Sequence, residues 1–319
     1  MALPEILTKN LRLPVVGAPL FIISHPALVI AQCKAGIIGS FPSLNARPIE
    51  QLDEWLSEIR EALDQHNADN PDQPAAPFAV NLIVHRSNMR LEKDLELVIK
   101  HKVPIVITSL GARPEVNDAV HSYGGITLHD VIHQTFCRKA IDKGADGLIV
   151  VAAGAGGHAG KQSPFAIVQE TREWFEGPIL LSGSIATGRA VLAAQVVGAD
   201  LAYVGTRFIA THEARAVDGY KQMLVDDAAA DIVGSTQFTG IFGNYLKNSI
   251  INAGMNPDEL PGADPSAMNF SGGGNAKAWK DIWGAGQGLG AIKNITSTAD
   301  VVASMAAEYE AAKTKIAAL

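Results

Sequence analysis

A single histidine stands among small residues in Val151-Ala152-Ala153-Gly154-Ala155-Gly156-Gly157-His158-Ala159-Gly160. It is the only titratable group in that run. An imidazole with an ordinary pKa of ~6.5 takes or gives a proton at neutral pH. The small neighbours clear space for a planar ligand, so His158 is the candidate catalytic residue. Two later segments offer a different chemistry. Ser182-Gly183-Ser184-Ile185-Ala186-Thr187-Gly188 and Val204-Gly205-Thr206-Arg207-Phe208 are glycine-bearing turns with hydroxyls alongside. Backbone N–H groups in such turns, and the helix N-termini they lead into, suit a phosphate monoester.

Three further positions bear on a ligand site. Gly17-Ala18-Pro19-Leu20 puts a small residue and a proline at the end of an aliphatic run, where backbone approaches a flat ligand closely. Asn81, inside Val80-Asn81-Leu82, carries an amide into apolar surroundings. An unpaired buried amide costs about 1–3 kcal/mol, so it needs a partner from a ligand edge or from the protein. His129-Asp130-Val131-Ile132-His133 echoes the zinc-protease H-E-x-x-H pattern. Asp replaces Glu, however, and no third ligand stands at a suitable spacing, so no metal is expected. His129 is instead expected at a strand end facing the ligand, with His133 an ordinary helix residue. Arg207 and Lys161 are the cations expected nearest the site, and neither is assigned a role.

These residues follow short aliphatic runs that alternate with amphipathic segments. The expected strands are Leu13–Ala18, Gly36–Ser40, Phe78–Leu82, Pro104–Ser109, Gly125–Leu128, Gly147–Ala152, Pro178–Leu181 and Leu201–Val204. Expected helices include Pro48–Gln65, Leu91–His101, Asp130–Lys143 and Gly188–Val197. Gly or Pro stops such as Gly144 and Gly198 mark returns from helix to strand. Eight β/α units close a (β/α)₈ TIM barrel, with an open doubly wound sheet as the competing reading. In such a barrel the site lies where strands end, and a phosphate sits after strands seven and eight, where the two glycine turns fall. The barrel is assigned residues 1–210 and 281–319. Residues 211–280 are expected to form a mostly helical insertion covering the active-site side, including a polar Gly/Pro-rich stretch over 256–280.

Composition limits the function classes. Hydrophobic residues make up 47% and aromatics 6% of the 319 residues, which fits an aliphatic core around a parallel sheet. The net charge of −7, without a Lys/Arg block, argues against nucleic acid. Cys33 and Cys137, far apart and in no CxxC spacing, are expected to be reduced thiols. The N-terminal residues do not read as a signal peptide and no stretch approaches the ~20 apolar residues of a membrane span, so a cytoplasmic protein is expected.

The ordered motifs Gly17-Ala18-Pro19-Leu20, Val80-Asn81-Leu82, Ala155-Gly156-Gly157-His158, Ser182-Gly183-Ser184-Ile185-Ala186, Gly205-Thr206-Arg207-Phe208 and Trp283-Gly284-Ala285-Gly286-Gln287 resemble the nitronate monooxygenase family, formerly the 2-nitropropane dioxygenases. That resemblance implies an FMN-dependent barrel with His158 catalytic and no metal. Ala18, Pro19 and Asn81 would contact FMN, while Ser182, Gly183, Ser184, Gly205 and Thr206 would hold its phosphate. His129 and Gly157 complete the expected cofactor set. The implied reaction is oxidation of alkyl nitronates by O₂ to a carbonyl compound and nitrite, with a homodimer left open. The pattern departs from the family at Gly17 and Leu20 (often Gln and Met), at Ser184 (usually a second Gly) and at Ala159 (often more polar or basic). Rival readings are an NAD(P)H-dependent reductase of quinones or enoyl-thioesters, a cofactor-free sugar-phosphate barrel, and a non-catalytic flavin-binding module.

Overall fold

The computed structural model describes residues 3–262 and 280–318. In chain order its strands are β1 (Val15–Gly17), β2 (Gly39–Pro42), β3 (Phe78–Ile83), β4 (Ile105–Ser109), β5 (Ile126–Val131), β6 (Gly147–Val151), β7 (Gly157–His158), β8 (Ile179–Ser182), β9 (Leu201–Val204), β10 (Ile232–Ser235) and β11 (Gly243–Leu246). Eight of them form one parallel sheet in the order β1-β9-β8-β6-β5-β4-β3-β2. A parallel bridge between Val16 and Ile38 joins its two edges. Gly17 N donates to Ile38 O at 2.8 Å and Ile38 N donates to Val15 O at 3.1 Å across that seam. The sheet is a TIM barrel, with its helices outside.

Aliphatic strands suit this position because both faces are buried. Val16, Ile38, Ala79, Ile107, Leu128, Ile149, Leu180 and Leu201 fill the lumen. Val80 and Val106 pack outward against the helical layer of α2 (Glu50–Asp69), α3 (Leu91–Lys100) and α4 (Pro114–His121). Val131, Leu148 and Val150 do the same against α5 (Gln134–Asp142) and α6 (Pro164–Arg172). Gly144 and Gly198 return helix to strand at φ of +91° and +117°, a conformation glycine adopts without a Cβ clash.

One boundary shifts in a way that matters for the site. The fifth strand does not stop at Leu128. Parallel pairing continues through Asp130↔Ile149 and Val131↔Val150, so the expected helix start at Asp130 moves to Gln134. A ladder already open on a buried edge extends for as long as its neighbour offers partners, and β6 offers them here.

After β9 the regular alternation ends. The described part of 211–280 contains α9 (Asp218–Asp226), the antiparallel hairpin β10–β11 and α10 (Lys247–Asn252). The hairpin is a feature the helical expectation lacks. It matters because β11 also pairs antiparallel with β7, the strand that carries His158. Most of the Gly/Pro-rich stretch, residues 263–279, lies outside the described residues. The C-terminal helix Thr298–Ala317 lies against α7 (Gly188–Val196) so closely that a Cβ on Gly188 would fall 1.9 Å from the Met305 carbonyl oxygen. Cys33 and Cys137 are buried free thiols. Among the described residues no helix is long and apolar enough to cross a membrane.

Candidate active site

A cavity of about 600 Å³ opens at the C-terminal ends of the barrel strands. Its walls bring together Ala18, Pro19, Asn81, Asp130, Gly157, His158, Ser182–Ser184, Gly205 and Thr206, which the chain separates by up to 188 residues. The volume lies within the ~300–1,000 Å³ usual for small-molecule and cofactor sites.

His158 reaches the cavity from β7, outside the barrel sheet proper. Gly243↔His158 and Asn244↔Gly157 pair β7 with β11, and Ala159 N donates to Phe242 O at 3.0 Å. The imidazole Nε2 lies 2.9 Å from the Thr239 hydroxyl oxygen. Burial lowers the His158 pKa to about 4, so the ring is neutral at pH 7.

The small residues before His158 serve a purpose the sequence does not show. A Cβ on Gly156 would meet Gly286 N at 2.6 Å, and one on Gly154 would meet the Ser184 hydroxyl at 2.1 Å. Their bareness lets the Gly284–Gln287 segment and the Ser184 turn press against this loop, in addition to opening the cavity. Gln287 N and Ser184 N both donate to Gly154 O, at 2.9 and 3.2 Å.

The two glycine turns differ from each other. After β8, Gly183 and Ser184 both take positive φ, +132° and +58°. Helix α7 starts only at Gly188, and its N-terminus is already satisfied. Thr187 Oγ1 accepts from Ala190 N at 3.2 Å, and the Glu308 carboxylate accepts from Gly188 N at 2.8 Å. Two of the N-terminal N–H groups of α7 are thus met within the protein, and the turn borders the cavity through Ser182, Gly183, Ser184, Ile185 and Ala186. After β9, Gly205 leads directly into the short α8 (Thr206–Ile209). Thr206 Oγ1 accepts from Gly286 N at 2.9 Å, tying this turn to the same late segment.

In the longer β5, His129 and Asp130 fall on opposite faces of the strand. Leu128 belongs to the lumen and Val131 to the outer layer, so alternation sends His129 outward. It sits opposite Thr108 in register, and its Nδ1 lies 2.6 Å from the Thr108 hydroxyl. His129 nonetheless lines the cavity, which also reaches Phe136, Lys139 and Ala140 of the helical layer, and burial lowers its pKa to about 4. His133 precedes α5 in extended conformation and stacks on Phe136 at 4.0 Å between centroids. Among the described residues no group of three His, Cys, Asp or Glu gathers to hold a metal.

The inward position belongs to Asp130, which sequence reasoning missed. Two-residue alternation from Leu128 would have found it, had the strand been carried three residues further. Ser109 Oγ donates to Asp130 Oδ2 at 2.5 Å, and Asn81 Nδ2 donates to that same Ser109 oxygen at 2.7 Å. Asn81 Nδ2 also donates to Ile107 O at 3.1 Å, so both amide hydrogens are used within the protein and Oδ1 is the atom left for a ligand N–H. Burial raises the Asp130 pKa to about 6. Between about pH 4 and 6 the folded protein keeps a proton that the unfolded chain has released. Stability contributed by this group therefore falls as pH rises through that window and stays low above it. Asp130→Asn removes the effect. The difference in Tm between variant and parent is expected to be smallest at pH 4 and to grow in the variant's favour up to pH 7. A difference that does not change with pH would show that Asp130 titrates normally.

The two candidate cations lie elsewhere. Lys161 Nζ sits 4.8 Å above the Phe242 ring. Arg207 is 8% exposed, with its charge opposed to that of Glu308 outside the cavity lining.

The model of the family described as "Nitronate monooxygenase" matches residues 5–308. The chain belongs to the nitronate monooxygenase family. It is an oxidoreductase on a TIM barrel. Among relatives, a nitronate monooxygenase of Paraburkholderia phytofirmans is 25% identical over 290 residues, covering 76% of each chain. A (3aS,4S,5R,7aS)-5-hydroxy-7a-methyl-1-oxo-octahydro-1H-indene-4-carboxyl-CoA dehydrogenase of Rhodococcus jostii is 23% identical, covering 81% of this chain and 69% of that one. Of solved structures, a nitroalkane oxidase from Streptomyces ansochromogenes superposes with a TM-score of 0.80 at 23% identity, covering 97% of this chain and 99% of that one. FabK from Thermotoga maritima gives 0.78 at 23%, covering 98% and 97%. At these identities the two structures show the shared fold.

The positions that depart from the family pattern sit in different surroundings. A Cβ on Gly17 would lie 2.3 Å from the amide nitrogen of Gln32, a fully buried residue of α1 (Pro26–Lys34), so a larger residue there requires the Gln32 side chain to move. An amide thus fills the space beside β1 from the helix. Ser184 holds a φ of +58°, the region that favours the family's second glycine. Ala159 is 3% exposed beneath the hairpin, which excludes a longer polar side chain.

Proposed function

We propose that this protein oxidises alkyl nitronates with FMN and O₂, giving a carbonyl compound and nitrite, with His158 as the proton-handling residue. The observation that carries this reading is the convergence of His158 with both glycine turns on one cavity at the barrel mouth. The donor set fits FMN: backbone of Ser182–Ser184 and Gly205–Thr206 for the phosphate, Asn81 Oδ1 for a ring N–H, and Ala18, Pro19 and Gly157 as small walls against a flat ring. His129 lines the same cavity. When bound, the flavin supplies the electron transfer to O₂. The chain's residues bind and orient, and His158 moves a proton. The segment between β10 and β11 acts as a cover of the site, since Thr239 bonds His158 and Ile241 lines the cavity.

Two roles are open to a histidine here: a neutral base that takes the α-proton of a nitroalkane, or an imidazolium that stabilises a nitronate. A pKa of about 4 favours the neutral base. For a neutral nitroalkane, kcat/KM is expected to be flat from pH 7 down to about 5. It then falls about tenfold per unit below pH 4, as the ring takes up a proton. A fall beginning near pH 6.5 would remove the lowered pKa from the account.

The rival reductase reading is tested directly. Anaerobic mixing with NADH bleaches a flavin reductase rapidly, whereas the proposed enzyme responds only to a nitronate. Purified protein that is colourless and takes up no FMN would sink both readings and favour a sugar-phosphate barrel.

A further inference from the structure

We infer that Asp130 meets the bound flavin as a carboxylic acid, so that FMN binding draws one proton from solvent onto this residue. This rests on the reading of the cavity as the FMN site.

A count of hydrogens along one edge of the cavity carries the inference. The Asn81 amide presents its nitrogen to Ile107 O at 3.1 Å, and a carbonyl only accepts, so the orientation of the amide is fixed. Its second hydrogen goes to Ser109 Oγ at 2.7 Å, and the single Ser109 hydrogen passes on to Asp130 Oδ2 at 2.5 Å. The backbone N–H of Leu110 turns to the same carboxyl. With Asp130 ionised, every side-chain hydrogen of this chain is spent within the protein. The edge then offers a ligand only acceptors, Asn81 Oδ1 and the carboxylate. In a flavin, the ring N–H that suits Asn81 Oδ1 is flanked by carbonyls, which also only accept. Acceptors facing acceptors leave buried groups unpaired. A proton on Asp130 adds the missing donor.

The surroundings hold the carboxyl ready for that proton. Asp130 is half-buried in the cavity wall, and burial already raises its pKa to about 6. Its partner across the β5–β6 ladder is Ile149, a lumen residue with no charge to offer. Tyr203 reaches the lumen from β9, and burial, then the Asp130 charge, hold its phenol well above its ordinary pKa. Burial lowers His129 and His158 to about 4 and raises Tyr220, so none of these four changes charge between pH 6 and 8. His85 and Lys139 complete the titratable groups of the described wall, and Asp130 is its one carboxyl. A ligand seated there displaces water from the carboxylate, which favours the neutral acid further.

The test is titration of FMN into full-length, flavin-free protein between pH 5 and 8, beside Asp130→Asn. Asparagine keeps a donor N–H in place of the acid and does not ionise. Titration of the FMN phosphate cancels in the ratio of the two Kd values. Parent Kd divided by variant Kd is expected to rise about tenfold per pH unit above pH 6, reaching about 100-fold by pH 8. Calorimetry at pH 7.5 in buffers of differing ionisation enthalpy should show about one proton more taken up by the parent than by the variant. A constant ratio, or equal proton uptake, overturns the inference and leaves the FMN site standing. Should Asp130→Asn not fold, carboxyl ¹³C NMR of aspartate-labelled parent decides. One carboxyl must become protonated when FMN is added at pH 7.5, and none doing so overturns the inference. Protein that binds no FMN at any pH removes the reading of the cavity, and the inference with it.

Discussion

His158→Asn is expected to lower turnover of a nitroalkane by about 10²–10⁴-fold while FMN remains bound. Asparagine keeps a polar group of similar reach at the end of β7 but has no nitrogen able to accept a proton at neutral pH. The residue lies on a strand whose backbone is paired with β11, so the substitution leaves the loop around the cavity in place. Flavin absorbance and Tm should stay near those of the parent, because none of the backbone turns assigned to the phosphate involves this side chain. Rates with the preformed nitronate separate the roles. If proton abstraction is the histidine's whole contribution, the variant regains most of its rate on the anion. If the ring also stabilises the anion, the loss persists. Turnover unchanged on both substrates would remove His158 from the mechanism, wherever the flavin sits.

The second large effect is expected at Gly205. Its φ of −106° is open to any residue, and a Cβ there would lie 3.3 Å from the flexible end of Leu20 and 3.5 Å from Ala18. Gly205→Asp should therefore fold, with a small change in Tm, and place a carboxylate in the cavity wall beside Ser184 and Thr206. At about 4 Å and an effective dielectric of 20, two unit charges repel by about 4 kcal/mol, and a phosphate dianion by more. FMN affinity should fall at least about 100-fold, since 1.4 kcal/mol is a factor of ten. Gly205→Ala separates bulk from charge and should lose far less. Full retention of FMN by Gly205→Asp would place the phosphate elsewhere in the cavity. A cleaner site for this test is hard to find: at Gly183, φ is +132° and a Cβ would lie 2.7 Å from Ala153 O, so a substitution there strains the fold itself.

Much of the site was legible before any coordinates, because barrel architecture sends strand ends to one face. Once His158, Asn81 and the turns at Gly183 and Gly205 were assigned to strand ends, their meeting followed. What failed was finer. Asp130 reads as a helix start and so is passed over, because one strand runs three residues beyond its apolar run. In a parallel sheet that end is set by hydrogen bonds to β6, which local composition does not encode. The glycines before His158 read as space for a ligand, yet Gly154 and Gly156 also make room for a segment some 130 residues later.

Local patterning determined the eight strands, the lumen layer and the ring of small and hydroxyl residues at the mouth, since aliphatic runs and Gly stops act over a few residues. Only tertiary structure decided which way each strand-end side chain turns. It also decided that α7's N-terminus is taken by Glu308, and that a hairpin from beyond the barrel supplies Thr239 to His158. Those outcomes depend on pairings between distant segments, and the atoms that choose them meet only after the chain has folded.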